Sequence, residues 1–136
     1  ALALGNNEAL VTSVEGCKNT LKVANSLLEK YNINNVRLQN DLFDNFLRKN
    51  LSPYDLVYID GNHEKTKTLE YFDLLLPLTH SDSCIIFDDI HWSQGMYEAW
   101  TQISNHPKVT VSIDSFWWGM VFFSNKQEKQ HFYIRL

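Results

Sequence analysis

The sequence has only two cysteines, Cys17 and Cys84. They lie far apart and lack the spacing of a metal site. They read as free thiols of a reducing compartment, with one disulfide between them left open. Apolar runs are short, and none approaches the roughly 20 residues a membrane-spanning helix needs. No secretory leader is visible. Positive charge is in deficit: 12 Lys and Arg stand against 16 Asp and Glu, a net charge of −4. The basic residues are scattered, which argues against a nucleic-acid or membrane-surface binder. Internal repeats and low-complexity stretches are also missing. The expectation is a cytoplasmic protein with a small-molecule partner, no nucleic acid and no membrane; a homo-oligomer stays open.

What the sequence does have is a set of short apolar runs that stop at carboxylates. Residues 54–63 carry Asp60 and His63 at their end, and residues 83–91 carry Asp88, Asp89 and His91. Continuous apolar runs of this length read as buried parallel strands, covered by helices on both faces. In open α/β sheets a ligand sits beyond the carboxyl ends of the strands. Asp60, Asp88 and Asp89 are therefore expected on one crevice. Three carboxylates in one place repel unless a proton or cation intervenes, and a divalent cation, magnesium above all, is the simplest partner.

The other elements alternate around these strands. Residues 10–15 read as a strand closing on Glu15. Residues 18–31 read as a helix with Leu21, Ala24, Leu27 and Leu28 on one face. A strand over 36–39 precedes Asn40 and Asp41, and a short helix spans 42–50. A longer helix over 65–76 carries Leu69, Phe72, Leu75 and Leu76, with Pro77 helping to end it. Residues 92–103 read as a helix, and strands over 109–113 and 118–123 are close enough to pair antiparallel. Residues 132–134 are open between strand and frayed end. The pattern is an α/β doubly wound, mostly parallel sheet with a C-terminal antiparallel hairpin, forming one domain over 1–136. The first six residues read as the last turn of a helix with a glycine stop, and there is no initiator methionine. The chain is therefore expected to be part of a longer one.

This order of motifs resembles the class I S-adenosylmethionine-dependent methyltransferases over nearly the whole chain. The resemblance implies a Rossmann-like fold and S-adenosylmethionine as cofactor. It implies that Glu15 and the adjoining Gly16 meet the cofactor ribose, that Asn40 and Asp41 lie at the adenine, and that Asp60 stands beside the methyl donor. Two neighbouring hydroxyl donors suit a carboxylate. Within the class the chain is similar to the metal-dependent, catechol-type O-methyltransferases, which carry metal-binding acids where Asp60, Asp88 and Asp89 stand. That family has a lysine base where this chain has His63, and imidazole is a base near neutral pH without burial. The family's first strand and its glycine-rich loop have no counterpart here.

Plainer readings stand beside these. Asp60, and Asp88 with Asp89, also serve as turn and helix caps. His63 and His91 could be ordinary surface histidines, as His80, His106 and His131 are expected to be. Half of the aromatic group Phe116, Trp117 and Trp118 is expected in the core. Trp92 is expected to pack rather than to wall an acceptor pocket. The function implied is methyl transfer to the oxygen of a small hydroxyl-bearing acceptor with metal assistance, His63 taking the proton. A non-catalytic scaffold of the same fold, or less readily a metal-dependent hydrolase, is the alternative.

Overall fold

The computed structural model describes residues 2–135. They form two compact units, Ala1–Asn50 and Leu51–Leu136, each described by itself. No described helix is long and apolar enough to cross a membrane.

The first unit runs α1 (Leu2–Gly5), β1 (Val11–Val14), α2 (Lys18–Lys30), β2 (Val36–Gln39) and α3 (Phe43–Lys49). β1 and β2 pair in parallel, with Val11 opposite Val36 and Val14 opposite Gln39. Parallel neighbours need a crossover connection, and α2 supplies it. Leu21, Ala24 and Leu28 of α2 are half-buried, as their spacing predicts. Leu27 is 47% exposed instead. At 3.6 residues per turn it stands about 120° round the helix from Leu21, on the flank of the apolar stripe. The Asn35 amide ties the start of β2 to the preceding segment, donating to the carbonyls of Ala3 and Ala9, each at 3.0 Å.

The second unit runs β3 (Leu56–Ile59), α4 (Lys65–Leu75), a 3₁₀ turn (Leu76–Leu78), β4 (Cys84–Asp88), α5 (Gln94–Asn105), β5 (Val111–Asp114), β6 (Trp118–Phe122) and β7 (Gln130–Tyr133). Its five-stranded sheet has the order β3-β4-β6-β5-β7. β3 and β4 are parallel, β6 is reversed between β4 and β5, and β7 lies parallel to β5 at the edge. The expected antiparallel hairpin is present, and the tail beyond it forms a strand. Pro77 does not stop the chain abruptly. It lies in the 3₁₀ turn that tightens the end of α4, near a start where a missing N–H costs little. α5 begins two residues later than the apolar pattern implies, because the Ser93 hydroxyl caps it by accepting from the Met96 amide at 3.2 Å.

This is an α/β, Rossmann-like arrangement. The core of the second unit joins Phe72 and Leu75 of α4, Ile85 and Phe87 of β4, Ala99, Trp100 and Ile103 of α5, and Val121 of β6. Phe72 meets Phe87 edge to face at 6.2 Å. The Trp100 ring lies directly on Gly119 of β6. A Cβ built there would stand 2.6 Å from two ring carbons, well inside contact distance. A rigid indole cannot yield as a flexible chain end does. Gly119→Ala is therefore expected to destabilise the protein by about 1–3 kcal/mol through overpacking, read as a lower midpoint in urea unfolding. An unchanged midpoint would refute the notch.

Candidate active site

The sheet of the second unit gathers acids on one edge. Ile59 lies opposite Phe87, so Asp60 and Asp88 leave β3 and β4 at the same level. β5 is parallel to β4 through the reversed β6, which brings Asp114 to that edge as well. His63 follows in the turn after β3. Its Nε2 stands 3.6 Å from Asp60 Oδ1 and 3.8 Å from Asp89 Oδ2. Both distances exceed a hydrogen bond. They leave an imidazole poised between two carboxylates, either of which stabilises it once protonated. Asn62 in this turn and Asp89 just after β4 have φ of 51° and 53°. Asn and Asp are the non-glycine residues that tolerate this left-handed region best. The Asn62 amide is held by Tyr71, donating to its hydroxyl at 2.6 Å.

Asp88 points elsewhere. Tyr58 pairs across the sheet with Ile86, so Asp88, two residues on, shares its face. The Tyr58 hydroxyl donates to Asp88 Oδ2 at 2.8 Å, and the Asp89 amide donates to Asp88 Oδ1 at 3.0 Å. Burial and then the bond to Asp88 push the Tyr58 phenol up to about 12. The three carboxylates thus do not assemble into the expected cation site. His63 occupies the space between two of them, and the third is bonded to a tyrosine. Among the described residues no group of three His, Cys, Asp or Glu side chains is placed to hold a metal ion. As they stand, Asp60, Asp88 and Asp89 do not fit magnesium.

In the first unit, Glu15 Oε1 accepts from the Cys17 amide at 2.7 Å. Among the described residues no hydrogen bond takes Oε2, and the residue is half-buried, so the carboxylate fits a ribose hydroxyl. Asn40 is engaged structurally. Its amide donates to the carbonyls of Glu15 at 2.8 Å and Gly16 at 3.1 Å, which clamps the ends of β1 and β2 together. Asp41 accepts from Lys49 at 3.0 Å and from the Leu42 amide at 2.9 Å. The Lys49 ammonium holds its carboxyl below the usual carboxylate range. Gly16 makes no close cradle; a Cβ there would find only ordinary contact with Leu42 at 3.4 Å. Cys17 and Cys84 are free thiols.

Sequence reasoning missed the group around Asp114. This carboxylate is 3% exposed. It accepts from His91 Nε2 at 2.8 Å, from the Phe116 amide at 2.9 Å and from Arg135 at 3.0 Å. The His91 ring is stacked between Phe116 at 5.2 Å and Tyr97 at 5.4 Å. The available signal was the one already used elsewhere: Asp114 is a further acid closing a strand. The neighbouring aromatics also depart from expectation. Trp92, Phe116, Trp117 and Trp118 are 70%, 44%, 63% and 47% exposed, so none is core. Each lies in or beside a turn at the sheet edge, where no helix covers it. Asp89, His91, Trp92, Phe116 and Trp117 together line an open recess.

Burial pushes the Asp114 carboxyl up. The Phe116 amide, His91 and Arg135 outweigh it and leave the group below the usual carboxylate range. A depressed pKa contributes stability above the unfolded value near 4, and the contribution is lost as pH falls through the folded value. Asp114→Asn is therefore expected to cost about 1–3 kcal/mol at neutral pH. The gap between the two proteins should close below about pH 4. Thermal melts of both across pH 3–7 check this; a gap that does not narrow in acid would refute it.

The comparisons with known proteins agree with this fold. The SAH-bound methyltransferase PaMTH1 of Podospora anserina is 14% identical, with a TM-score of 0.75 over 89% of this chain and 63% of its own. An O-methyltransferase of Bacillus cereus in complex with SAH is 21% identical, with a TM-score of 0.66 over 82% of this chain and 62% of its own. The O-methyltransferase TomG of Streptomyces achromogenes, in complex with SAM, is 16% identical, with a TM-score of 0.67 over 84% and 61%. At these identities the likeness is one of fold, and the chain spans less than two thirds of each of these proteins. No curated protein matches the sequence. The model of one family, described as a methyltransferase domain, matches residues 1–90. That is most of the chain, and the chain belongs to this methyltransferase domain family.

Proposed function

We propose that the protein binds S-adenosylmethionine and transfers its methyl group to the hydroxyl oxygen of a small acceptor. The observation that carries this reading is His63, held at the sheet edge between Asp60 and Asp89 in a chain of the methyltransferase domain family. When bound, the cofactor supplies an electrophilic methyl carbon on a sulfonium. Glu15 binds the ribose through its open carboxylate oxygen, and Asp41 lies at the adenine, with Asn40 and Gly16 shaping the loop between them. Asp60 stands beside the methyl donor and steadies the imidazolium. His63 takes the acceptor proton as the oxygen attacks. A positioned general base of this kind contributes about a hundredfold to ten-thousandfold, and orientation of the two reactants supplies the larger share.

Metal assistance through Asp60, Asp88 and Asp89 needs the three carboxylates to converge and His63 to leave its gap. The placed side chains favour transfer without it. A metal-dependent hydrolase needs the same unassembled cluster and has no use for Glu15.

Two measurements test the proposal. In calorimetry of the full-length protein, S-adenosylmethionine is expected to bind, and Glu15→Ala to weaken it about tenfold to a hundredfold, the worth of a hydrogen bond to a charged group. No binding in either protein would leave a non-catalytic scaffold as the better reading. The affinity is also expected to be the same in EDTA and in magnesium. A magnesium requirement that disappears in the Asp88→Ala, Asp89→Ala double variant would restore the metal role.

A further inference from the structure

The open recess at the sheet edge has an unusual chemistry. Its walls are aromatic (Trp92, Phe116 and Trp117) and its polar groups are Asp89 and His91. Its volume is about 180 Å³, somewhat more than the roughly 150 Å³ that accommodates a benzene ring. That is room for one six-membered ring. No lysine or arginine lines it, so nothing there favours a phosphate or carboxylate. His91 Nε2 meets the ionised Asp114 at 2.8 Å. That leaves the ring's other nitrogen, Nδ1, for a ligand. No hydrogen bond within the described residues takes that Nδ1. The polar end of the recess thus offers the Asp89 carboxylate and an unengaged imidazole nitrogen, and suits a ligand that brings hydroxyl groups, which donate and accept.

The exposure of the walls separates two kinds of hydroxyl ligand. A flat phenol gains most by burying both faces, and small-molecule pockets usually enclose about 70–90% of the ligand. Trp92 and Trp117 instead keep 70% and 63% of their surface open. They form platforms, not a slot. A platform suits a ring with one apolar C–H face to lay on the electron-rich indole and a rim of hydroxyls left to water. The backbone is bent to hold this shape. Asp89 and Phe116, both on the recess, have φ of 53° and 77°, a left-handed conformation that non-glycine residues rarely adopt. Phe116 is kept there by its amide bond to Asp114 at 2.9 Å, by the His91 stack and by Arg135 lying 5.8 Å over its ring. His63 borders the same space, 3.8 Å from Asp89 and with its ring 6.5 Å from that of Trp92.

We propose that this recess is the acceptor subsite and that it takes a sugar ring, its C–H face on Trp92 or Trp117 and two neighbouring hydroxyls on Asp89 and His91. The inference rests on the methyl-transfer reading above and names its substrate class. In the transfer, a sugar hydroxyl oxygen forms the new bond to the methyl carbon. The sulfonium sulfur keeps the electron pair of the broken S–C bond and becomes a neutral thioether, and the hydroxyl proton passes to His63.

Saturation-transfer NMR on the full-length protein tests the subsite without any turnover. The probes are methyl glycosides of hexoses, 6-deoxyhexoses, pentoses and N-acetylhexosamines, with catechol as the aromatic competitor. At least one glycoside is expected to show transfer confined to the protons of one ring face. Trp92→Ala and Asp89→Asn are each expected to weaken it tenfold or more, with melting unchanged because Trp92 is 70% exposed and Asn keeps the shape of Asp89. Catechol binding without any glycoside would overturn the sugar assignment. Absence of binding by all probes, or glycoside binding that survives both substitutions, would overturn the subsite. Glycoside binding by a protein that fails to bind S-adenosylmethionine would instead leave the sugar site standing and sink the methyl transfer.

Discussion

The buried carboxylate of Asp114 is the constraint on which the site edge depends. A charge at 3% exposure is tolerable only if hydrogen bonds satisfy it. Its donors come from three separate parts of the chain: His91 after β4, Phe116 in the β5–β6 turn, and Arg135 after β7. Meeting the needs of one anion therefore pins three otherwise independent loops to one another. It also anchors the His91 ring and the unusual backbone of Phe116. The recess is less a hollow between elements than the outer surface of that knot.

A second arrangement shapes the end that carries His63. β3 and β4 deliver Asp60 and Asp88 side by side, yet the two acids have different tasks. Tyr58 absorbs Asp88 into the sheet. Asp60 is left open to water and to His63. Pairing one carboxylate with a phenol removes an acceptor that would otherwise compete for the imidazole.

Much of the architecture was legible in the sequence, because continuous apolar runs and helical spacing are dictated by burial. The strands ending at Gln39, Ile59 and Asp88 and the helices α2, α4 and α5 stand where their patterns place them within a residue or two. What misled was context. Ser93 capped α5 later than its apolar stripe begins, and Leu27 fell on the flank of a narrow buried face. In the site, strand-end position put Asp60, Asp88 and Asp89 at one edge, but His63 stands between Asp60 and Asp89, and Asp88 turns to Tyr58. It said nothing of Tyr58, whose partner lies 30 residues away and whose role depends on cross-strand register. Asp114 could have been found by the same acid-at-strand-end rule. Its partner Arg135 could not, since nothing local foretells that the tail returns as a parallel edge strand. The aromatic cluster was misjudged because hydrophobicity predicts burial only where something exists to cover the residue.

The notch at Gly119 has a further consequence for how this fold tolerates change. Trp100 fits that one gap in the sheet, so α5 cannot roll about its axis or slip along it without lifting an indole onto backbone. The helix is thereby indexed like a key in a ward. Ser93 and Trp92, at its leading end, inherit that indexing. Substitutions buried around Trp100 should then be felt at the surface as altered ligand discrimination before they are felt as loss of folding. Drift in the interior of this protein is in effect a way of tuning its rim.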